Sequence, residues 1–336
     1  MGTSVKILIV GLGSMGKRRV RNLQALGFKD LAGFDLRADR VEEATGRYGI
    51  RGYREFPQAL EEFAPQALVI STGPAEHMEY AWTAFQHQIP CFIEASVVHA
   101  DRILALHHAA QEKGIVMAPS CTMRYFPGPR KVKELLTAGA IGKALYFNYQ
   151  TGQYLPDWHP WEKVEDFYVS RRETGGCREI VPFELAWLND VFGEPEPLAL
   201  VKDQLGDIDA DIDDVYHCLL RFPGGVIGNM TVDVLSRPTS TRELRIIGSA
   251  GQIVMSADSK EVRHNRLGAE EWMRYPIGEG TVEANYINPE EPYIAEMSDF
   301  VAAVREARQD RFPNTLLDDY KILITLQALE ALCPTK

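Results

Sequence analysis

The feature that most constrains the fold is a glycine motif at the end of the first apolar run. Residues Val5–Val10 are apolar apart from Lys6, and they lead into Gly11-Leu-Gly13-Ser-Met-Gly16, a G-x-G-x-x-G pattern. In this pattern the first glycine allows a tight turn, the second lets the backbone approach a pyrophosphate, and the third allows a helix to pack closely on a strand. The motif therefore predicts a strand, a phosphate-binding turn and a helix in succession.

A second predicted strand ends on an acidic residue. Leu31–Phe34 is followed by Asp35, about twenty positions after the glycines, as expected for a dinucleotide site. A carboxylate there accepts hydrogen bonds from ribose hydroxyls and repels a 2′-phosphate, which favours NAD over NADP. Arg37 and Arg40 follow closely and could tolerate a phosphate, so NADP stays open. The alternative for both arginines is a solvated helix face.

Short apolar strands and helical segments alternate through the first third of the chain. The predicted strands are Val5–Val10, Leu31–Phe34, Ala67–Ser71, Cys91–Ile93 and Ile115–Met117, and the helical segments between them include Glu76–His87 and Asp101–Lys113. This alternation predicts an α/β Rossmann domain with a doubly wound parallel sheet over residues 1–122. Because such sheets bind ligands at the carboxyl ends of their strands, the predicted cofactor-binding residues are Gly11, Gly13, Ser14, Met15, Gly16, Asp35, Arg37, Ser71, Thr72, Gly73, Pro74, Glu94 and Ala95.

The pattern changes after Pro119. The predicted helices are now Arg130–Ala138 and Ile180–Phe192, and the predicted strands are Ala144–Tyr154, Val215–Phe222, Val226–Val234, Glu243–Ile247 and Ile253–Met255. Strands at short spacing around glycine turns are typical of antiparallel pairs. Residues 123–336 are therefore predicted to form an α+β domain with a mostly antiparallel open sheet. A final amphipathic helix, about 316–332, is predicted to pack back on the first domain.

Composition narrows the class of protein. The 336 residues carry a formal net charge of −11, which argues against a nucleic-acid surface. The sequence has neither an apolar run long enough to span a membrane nor a basic and apolar N-terminal leader, so a cytoplasmic protein is predicted. Its five cysteines are scattered, without a C-x-x-C pair, which predicts reduced thiols and no bound metal.

Several short phrases add a family resemblance. They are Gly11–Gly16, Ser71–Pro74 with His77, Phe92–Ser96, Met123–Pro127, Gly139–Lys143, and Gly175-Gly176 leading to Phe192–Pro195. Together they make the chain similar to the Gfo/Idh/MocA oxidoreductases, the glucose–fructose oxidoreductase and inositol dehydrogenase family. The resemblance covers almost the whole chain. It implies NAD-dependent chemistry on a sugar or sugar derivative, His77 beside the nicotinamide end of the cofactor, and a homodimer or homotetramer.

The same resemblance implies an atypical set of proton-transfer groups. Ala95 stands where the family's Glu-Lys-Pro motif carries its lysine, and Ile180 and Phe183 stand where a family helix carries an aspartate and a histidine. Phe167-Tyr168 occupy the place of a frequent Trp-Arg pair. Since alanine, isoleucine and phenylalanine cannot accept a proton, another group must replace them or the bound cofactor serves another purpose.

Two regions of the second domain contain side chains that could replace the missing proton-transfer groups. The loop Gly152–Glu162 contains His159, the first alternative acid/base group, although a rigid Pro/Trp-packed loop explains it almost equally well. The helix that follows carries Glu179 and Glu184, either of which could orient a sugar hydroxyl. For Glu179, an acidic residue favoured at a helix N-terminus is the competing interpretation.

Residues predicted to bind substrate carry aromatic faces or positive charge. The aromatic ones could stack on a sugar ring, and the arginines could bind an anionic group unless they form ordinary ion pairs. They are Arg124, Tyr154, Trp158, Trp161, Arg171 and Phe183.

Three functions remain open from the sequence. The leading hypothesis is an NAD-dependent oxidoreductase acting on a sugar-like substrate, and the phrase Trp158–Glu162 resembles a subgroup associated with bacterial surface-sugar biosynthesis. The first alternative is a non-catalytic NAD-binding regulator or sensor. The second is a non-redox enzyme with tightly held NAD, as in the family's NAD-dependent glycosidases.

Overall fold

The computed structural model describes residues 5–159, 162–284 and 286–333. They form two compact units, each built around its own sheet. The first unit comprises the chain up to Thr122 together with Glu290–Tyr320, and the second comprises Met123–Pro289 and the residues from Lys321 onward. The segment Glu290–Tyr320, which the sequence analysis assigned to the second domain, thus packs with the first unit.

The first unit is a parallel sheet flanked by helices. Its strands are β1 (Ile7–Val10), β2 (Leu31–Phe34), β3 (Arg51–Tyr53), β4 (Ala67–Ile70), β5 (Cys91–Ile93) and β6 (Met117–Pro119), and its first five helices are α1 (Ser14–Ala25), α2 (Ala38–Tyr48), α3 (Phe56–Phe63), α4 (His77–Gln86) and α5 (Ala100–Lys113). The strand order is β3-β2-β1-β4-β5-β6, and every pair is parallel. The order reverses between β1 and β4, so their carboxyl ends open the crevice where such sheets bind ligands.

The predicted doubly wound parallel sheet is confirmed. Its central strands were predictable because they are continuous apolar runs. All four residues of both β1 and β4 are buried, as expected for parallel strands covered on both faces. Strand β3, an edge strand of three largely exposed residues with a glycine at its centre, was not predicted. The last strand of the sheet, β6, begins at Met117 and not at Ile115 as predicted.

The second unit is an α+β structure with an eight-stranded sheet, as predicted. Its helices include α6 (Pro127–Thr137) and α7 (Cys177–Phe192), and its strands are β7 (Ala144–Gly152), β8 (Glu196–Asp203), β9 (Val215–Arg221), β10 (Ile227–Asp233), β11 (Thr241–Gly248), β12 (Gly251–Ser256), β13 (Glu261–Arg266) and β14 (Met273–Pro276). The strand order is β14-β13-β12-β11-β7-β10-β9-β8, with β7 and β10 parallel and all other pairs antiparallel. Strands β8, β13 and β14 were not predicted.

One face of this sheet is buried and the other is not. In β9, buried Tyr216, Cys218 and Leu220 alternate with exposed residues, the period-two pattern of a strand with one solvated face. The homodimer or homotetramer implied by the family resemblance stays a prediction.

Two helices follow the second sheet. The first is α8 (Glu291–Glu306), which belongs to the first unit, and the second is α9 (Leu316–Leu332), whose first residues belong to the first unit and whose remainder belongs to the second. Within the ranges described above, no helix is long and apolar enough to cross a membrane, and no group of three or more His, Cys, Asp or Glu side chains could hold a metal ion.

Candidate functional site

The three glycines of the opening motif have different surroundings. Gly11 has a φ of +90°, and a Cβ built on it would lie 2.7 Å from the carbonyl oxygen of Ser71. A Cβ on Gly16 would overlap the carbonyl oxygen of Gly11 and push α1 away from β1. At Gly13, among the described residues, only the guanidinium of Arg40 comes within 4 Å of that position. The backbone at Gly13 is therefore open to close approach, which fits a pyrophosphate.

The N-terminus of α1 adds an electrostatic reason for the same ligand. Gly13 begins the helix without a capping side chain, and the first turn contains no acidic residue. Ser14 and Met15 in that turn are half-buried. The N–H groups and the positive end of the helix dipole at such a terminus attract an anion. The residues present thus fit the diphosphate of a dinucleotide.

Gly13→Ala is expected to weaken NAD binding by about tenfold or more without disturbing the fold. The added methyl group meets no backbone but occupies the space that the phosphates need. Calorimetric titration with NAD measures the effect. Gly46→Ala on α2 is the matched control, since a Cβ there also meets nothing within 4 Å. Equal loss of affinity in both variants would contradict this role of Gly13.

Asp35 is positioned by backbone groups. It is buried, its Oδ2 accepts the N–H of Leu12 at 2.8 Å, and its Oδ1 accepts the N–H of Arg37 at 2.9 Å. Each carboxylate oxygen has a second acceptor site, which a ribose hydroxyl can use. The side chain of Arg37 forms a two-bond ion pair with Asp39, at 3.1 and 2.6 Å. Arg37 therefore serves the site through its backbone, and its guanidinium matches the solvated-face interpretation.

The loop after β4 is held by a neutral histidine. The Nε2–H of His77 donates to the carbonyl oxygen of Thr72 at 3.1 Å, and the hydroxyl of Thr72 donates to the carbonyl of Gly73. His77 is 1% exposed, and this burial lowers its pKa to about 4. An uncharged, buried imidazole fixes the shape of the loop Ser71–Pro74. The structure thus favours a positioning role for His77 over direct contact with a ligand.

A buried ion-pair network lies behind the end of β5. Arg19 on α1 donates two hydrogen bonds to Glu94, at 2.6 and 2.9 Å, and lies 3.0 Å from the carboxylate of Glu296 on α8. The side chains of Arg19 and Glu296 are both 0% exposed. The carboxylate of Glu94 is thereby fixed, while Ala95 beside it is half-buried and carries no polar group.

Arg19 and Glu296 were not predicted from the sequence. Arg19 lies in the Lys17–Asn22 stretch, where an amphipathic helix would ordinarily place solvated charges. The helical period of α1 does indicate that Arg19 is buried, because residue 19 lies on the same helical face as Gly16 and Leu23, which both pack inward. The partner on α8 is 277 positions away, and no local pattern indicates it.

In the second unit, one face of α7 is only partly buried. Glu179, Ile180 and Phe183 on this face are half-buried, whereas Val181 and Leu185 belong to the core. Ile180 and Phe183 are the two residues aligned above with the family's aspartate and histidine. Glu179 therefore lies next to those positions and carries the ionisable group that they lack.

Glu179 is held as a carboxyl group that can exchange a proton near neutral pH. The hydroxyl of Tyr168 donates to its Oε1 at 2.6 Å. Burial raises the pKa of Glu179 to about 7, although the hydrogen bond from Tyr168 opposes the rise. Its Oε2 has no hydrogen-bond partner among the residues that the structure describes. One oxygen is thus held by Tyr168, and the other is a buried acceptor without a partner in that part of the chain.

His159 joins the same group of side chains. Its ring centroid lies 4.8 Å from that of Phe167, whose ring meets Tyr168 edge to face at 6.1 Å. Its Nδ1 lies 3.5 Å from the carboxylate of Glu162. We call His159, Glu162, Phe167, Tyr168 and Glu179 the acid–aromatic cluster. The structure therefore brings two of the three predicted acid/base residues into one cluster.

The third predicted acid/base residue, Glu184, lies in the core. It is 0% exposed and accepts hydrogen bonds from the hydroxyl of Tyr149 at 2.6 Å and the indole of Trp187 at 2.7 Å. Arg242 pairs with it at 2.8 Å. A carboxylate enclosed by three donors cannot meet a substrate hydroxyl, so this position favours a role in stability.

The predicted substrate-binding residues are spread over the second unit. Arg124 donates to the carbonyl of Ala186 on α7 at 2.9 Å, and Arg237 covers the ring of Tyr154 at 4.5 Å. Trp158 and Phe183 are half-buried, and Arg171 is exposed. Trp161 lies outside the described residues. Of these residues, Arg171 borders the acid–aromatic cluster, because its backbone N–H donates to the carbonyl oxygen of Tyr168 at 3.3 Å.

Comparisons with known proteins agree with the architecture. Residues 5–120 match the model of the oxidoreductase family with an NAD-binding Rossmann fold, and residues 130–254 match the GFO/IDH/MocA C-terminal domain. The chain is 25% identical over 284 residues to scyllo-inositol 2-dehydrogenase (NAD(+)) of Bacillus subtilis, covering 80% of this chain and 77% of that one. It is 20% identical over 247 residues to trans-1,2-dihydrobenzene-1,2-diol dehydrogenase of Mus musculus, covering 69% and 71%.

Solved structures share the whole fold. Levoglucosan dehydrogenase in complex with NADH and levoglucosan superposes with a TM-score of 0.82 at 18% identity, covering 98% of this chain and 97% of that one. An oxidoreductase from Agrobacterium radiobacter in complex with NAD+, L-tartaric acid and magnesium gives a TM-score of 0.84 at 15% identity, covering 98% and 96%. At these identities the superpositions establish the fold alone.

Proposed function

Since this chain belongs to the GFO/IDH/MocA oxidoreductase family, we propose that it oxidises a hydroxyl group of a sugar-like substrate by hydride transfer to NAD. We assign the general base to Glu179 of the acid–aromatic cluster. The NAD-binding Rossmann domain and its relation to dehydrogenases set the reaction class.

The observation that carries the assignment is the state of the Glu179 carboxyl group. It lies on the half-buried face of α7, its Oε1 is held by Tyr168 at 2.6 Å, its Oε2 has no partner among the described residues, and its pKa is raised to about 7 by burial. A general base works best when its pKa is near the working pH, because it is then often ionised yet still basic enough to accept a proton. Glu184, with the same side chain five residues later, is fully buried and already bonded to Tyr149, Trp187 and Arg242.

The reaction divides between cofactor and side chains. When bound, NAD supplies the acceptor for the hydride that leaves the carbon of the alcohol. The Oε2 of Glu179 accepts the hydroxyl proton, so that the C–O bond becomes a carbonyl and the carboxylate becomes a carboxylic acid. Tyr168 holds the other oxygen and fixes the orientation of the group. Phe167 and His159 offer ring faces against which a sugar ring can pack.

The substrate class is supported by the relatives. Their names identify an inositol, a dihydrodiol and levoglucosan as substrates or ligands of those proteins. All three compounds are rings that carry hydroxyl groups. We therefore propose a cyclic, hydroxylated substrate. A homodimer or homotetramer, a cytoplasmic location and a place in surface-sugar biosynthesis also remain proposals.

A second candidate function is a non-catalytic NAD-binding regulator. It is supported by the alignment that the family resemblance implies, which puts Ala95, Ile180 and Phe183 at the three positions of the family's acid/base groups. A non-redox reaction with tightly held NAD is the further alternative, because hydride would then leave and return within one turnover.

We expect NADH to accumulate when the purified protein is incubated with NAD and a panel of inositols, anhydrosugars and cyclic diols. Absorbance of the reduced nicotinamide measures the product. Net NADH with at least one panel member supports the oxidoreductase. NAD binding without NADH from any member would favour the regulator, and conversion of a glycoside without net NADH would favour the non-redox enzyme.

A further inference from the structure

The loop before α7 carries Tyr168 and is folded tightly on itself. We call residues 168–176 the tyrosine loop. The hydroxyl of Thr174 donates to the carbonyl oxygen of Tyr168 at 2.8 Å, and the backbone N–H of Gly175 donates to the carbonyl oxygen of Arg171 at 2.8 Å. A Cβ on Gly175 would overlap the backbone of the loop itself. Any displacement of the loop therefore displaces Tyr168.

The tyrosine loop is attached to a turn that carries five aspartates. This turn, residues 207–214, is called the acidic turn below. Arg171 forms an isolated β-bridge with Asp211. The guanidinium of Arg172 lies 2.9 Å from the carboxylate of Asp211, and its Nη1 donates to Oδ1 of Asp213. One arginine of the loop thus binds two carboxylates of the turn.

Asp213 is the buried part of this attachment. Its side chain is 8% exposed, whereas that of Arg172 is 43% exposed. Its Oδ2 pairs with Lys202 at 2.8 Å, and its backbone carbonyl oxygen accepts the N–H of Cys177, the first residue of α7, at 3.2 Å. A buried carboxylate depends more on its partners than an exposed one does. Asp213 therefore connects the tyrosine loop to the start of α7.

We propose that Arg172 is a positioning residue, which holds the tyrosine loop on the acidic turn so that Tyr168 stays packed on Glu179 and keeps this carboxyl group buried. The inference rests on the proposed function, since Glu179 is the group assigned there as the general base. Tyr168 reaches Glu179 at 2.6 Å from within the loop. The place of the loop on the turn therefore sets the surroundings of the base.

The loop affects the pKa of Glu179 in two opposite ways. Burial raises this pKa from 4.5 to about 7 and is the larger effect, while the hydrogen bond from Tyr168 lowers it. A loop that leaves the acidic turn removes both effects, so the pKa should fall from 7 toward 4.5. The ionisable groups nearby have partners of their own, since His159 lies 3.5 Å from Glu162 and Arg178 pairs with a carboxylate of α9 at 2.8 Å.

The pKa of Glu179 can be measured without any turnover. The full chain is labelled with glutamate that carries an NMR-active carbon in its carboxyl group. The Glu179 signal is identified by its loss in Glu179→Gln, and its chemical shift is followed as pH is varied. In Arg172→Ala the midpoint should fall from about 7 toward 4.5. In Tyr168→Phe, which keeps the ring and removes the hydroxyl, the midpoint should rise above 7.

Lys202→Ala is the matched control. It removes a cation from the same carboxylate of Asp213, but the ammonium of Lys202 otherwise lies over the ring of Tyr216 at 5.5 Å, outside the tyrosine loop. This variant should leave the midpoint at about 7. Asp211→Asn removes the exposed part of the attachment and should lower the midpoint less than Arg172→Ala does.

A midpoint that stays at about 7 or rises in Arg172→Ala overturns the proposal. If Arg172→Ala does not fold, the Asp211→Asn variant decides in its place, and an unchanged midpoint there overturns the proposal. Absence of NADH with every panel substrate would count against the proposed function alone, because the NMR midpoint does not depend on turnover.

Discussion

Glu179→Gln is expected to lower kcat for alcohol oxidation by about a hundredfold to ten-thousandfold, the usual contribution of a positioned general base. Glutamine keeps the shape of the side chain and can still accept the hydrogen bond from Tyr168, but it cannot take a proton. The KM for NAD should be unchanged, since Glu179 belongs to the second unit and the cofactor residues belong to the first. Steady-state kinetics with the substrate found in the panel measures both constants.

The pH dependence gives an independent check of the same residue. Because the pKa of Glu179 is about 7 in the folded protein, the oxidation rate should rise as pH increases through 7 and then level off. The Glu179→Gln variant should lack this rise. Rates measured between about pH 5.5 and 9 compare the two profiles.

A measurement of stability distinguishes loss of the general base in Glu179→Gln from damage to the fold. The pKa of Glu179 is raised from 4.5 to about 7 on folding, so the folded state binds this proton more tightly than the unfolded state. Its favourable contribution is complete below about pH 4.5 and disappears as pH rises to 7. Above pH 7 the uncharged Gln variant should therefore be at least as stable as the parent protein, as thermal unfolding can measure.

Two further variants are controls for the assignment. Glu165→Gln removes an exposed carboxylate near Lys163 and should leave kcat unchanged. His159→Ala should lower kcat by less than about tenfold, because we assign it a packing role against Phe167. A large loss of kcat in His159→Ala with little loss of kcat in Glu179→Gln would mean that His159, and not Glu179, is the general base.

Arg19→Met is expected to destabilise the first unit by about 3–5 kcal/mol, the typical cost of breaking a buried ion pair by removing one partner. Methionine leaves Glu94 and the fully buried Glu296 without their cation. Glu296 keeps its hydrogen bonds from the backbone N–H of Cys121 and the hydroxyl of Thr122, both at 2.6 Å, but these cannot neutralise its charge. Urea-induced unfolding followed by circular dichroism measures the loss.

Arg47→Met provides the comparison for this stability prediction. Its guanidinium is exposed and its ion pair with Glu43 is long, so the free energy of unfolding should change by no more than about 0.5 kcal/mol. Similar losses in Arg19→Met and Arg47→Met would mean that the buried network contributes nothing beyond an ordinary surface pair.

The sequence predicted the first sheet well because its signals are local. The strand, turn and helix around Gly11–Gly16 follow directly from apolar runs and glycine positions, and Asp35 comes directly after β2 as expected. Short elements at the edges of the sheets were missed, since β3 and β14 have few residues and little apolar pattern. The packing of Glu290–Tyr320 with the first unit depends on contacts with distant residues such as Arg19, which no local pattern reveals.

The candidate site was predicted only in part, because here too the local sequence signals were insufficient. Glu179 and Glu184 have the same chemistry and lie on the same helix, so residue type alone could not separate them. Helical period does separate them, because five residues at about 100° each turn one away from the other by roughly 140°. The rise in the pKa of Glu179 and its bond to Tyr168 required the folded loop before α7.

The most direct test of the proposed function is the transfer of deuterium. A panel substrate deuterated at the carbon that bears the reacting hydroxyl is incubated with the protein and NAD, and the NADH is analysed by mass spectrometry. We predict one deuterium in each NADH formed, with a rate that falls in Glu179→Gln. NAD binding that saturates while no deuterium reaches the nicotinamide from any panel substrate would contradict the assignment of this chain as an NAD-dependent oxidoreductase.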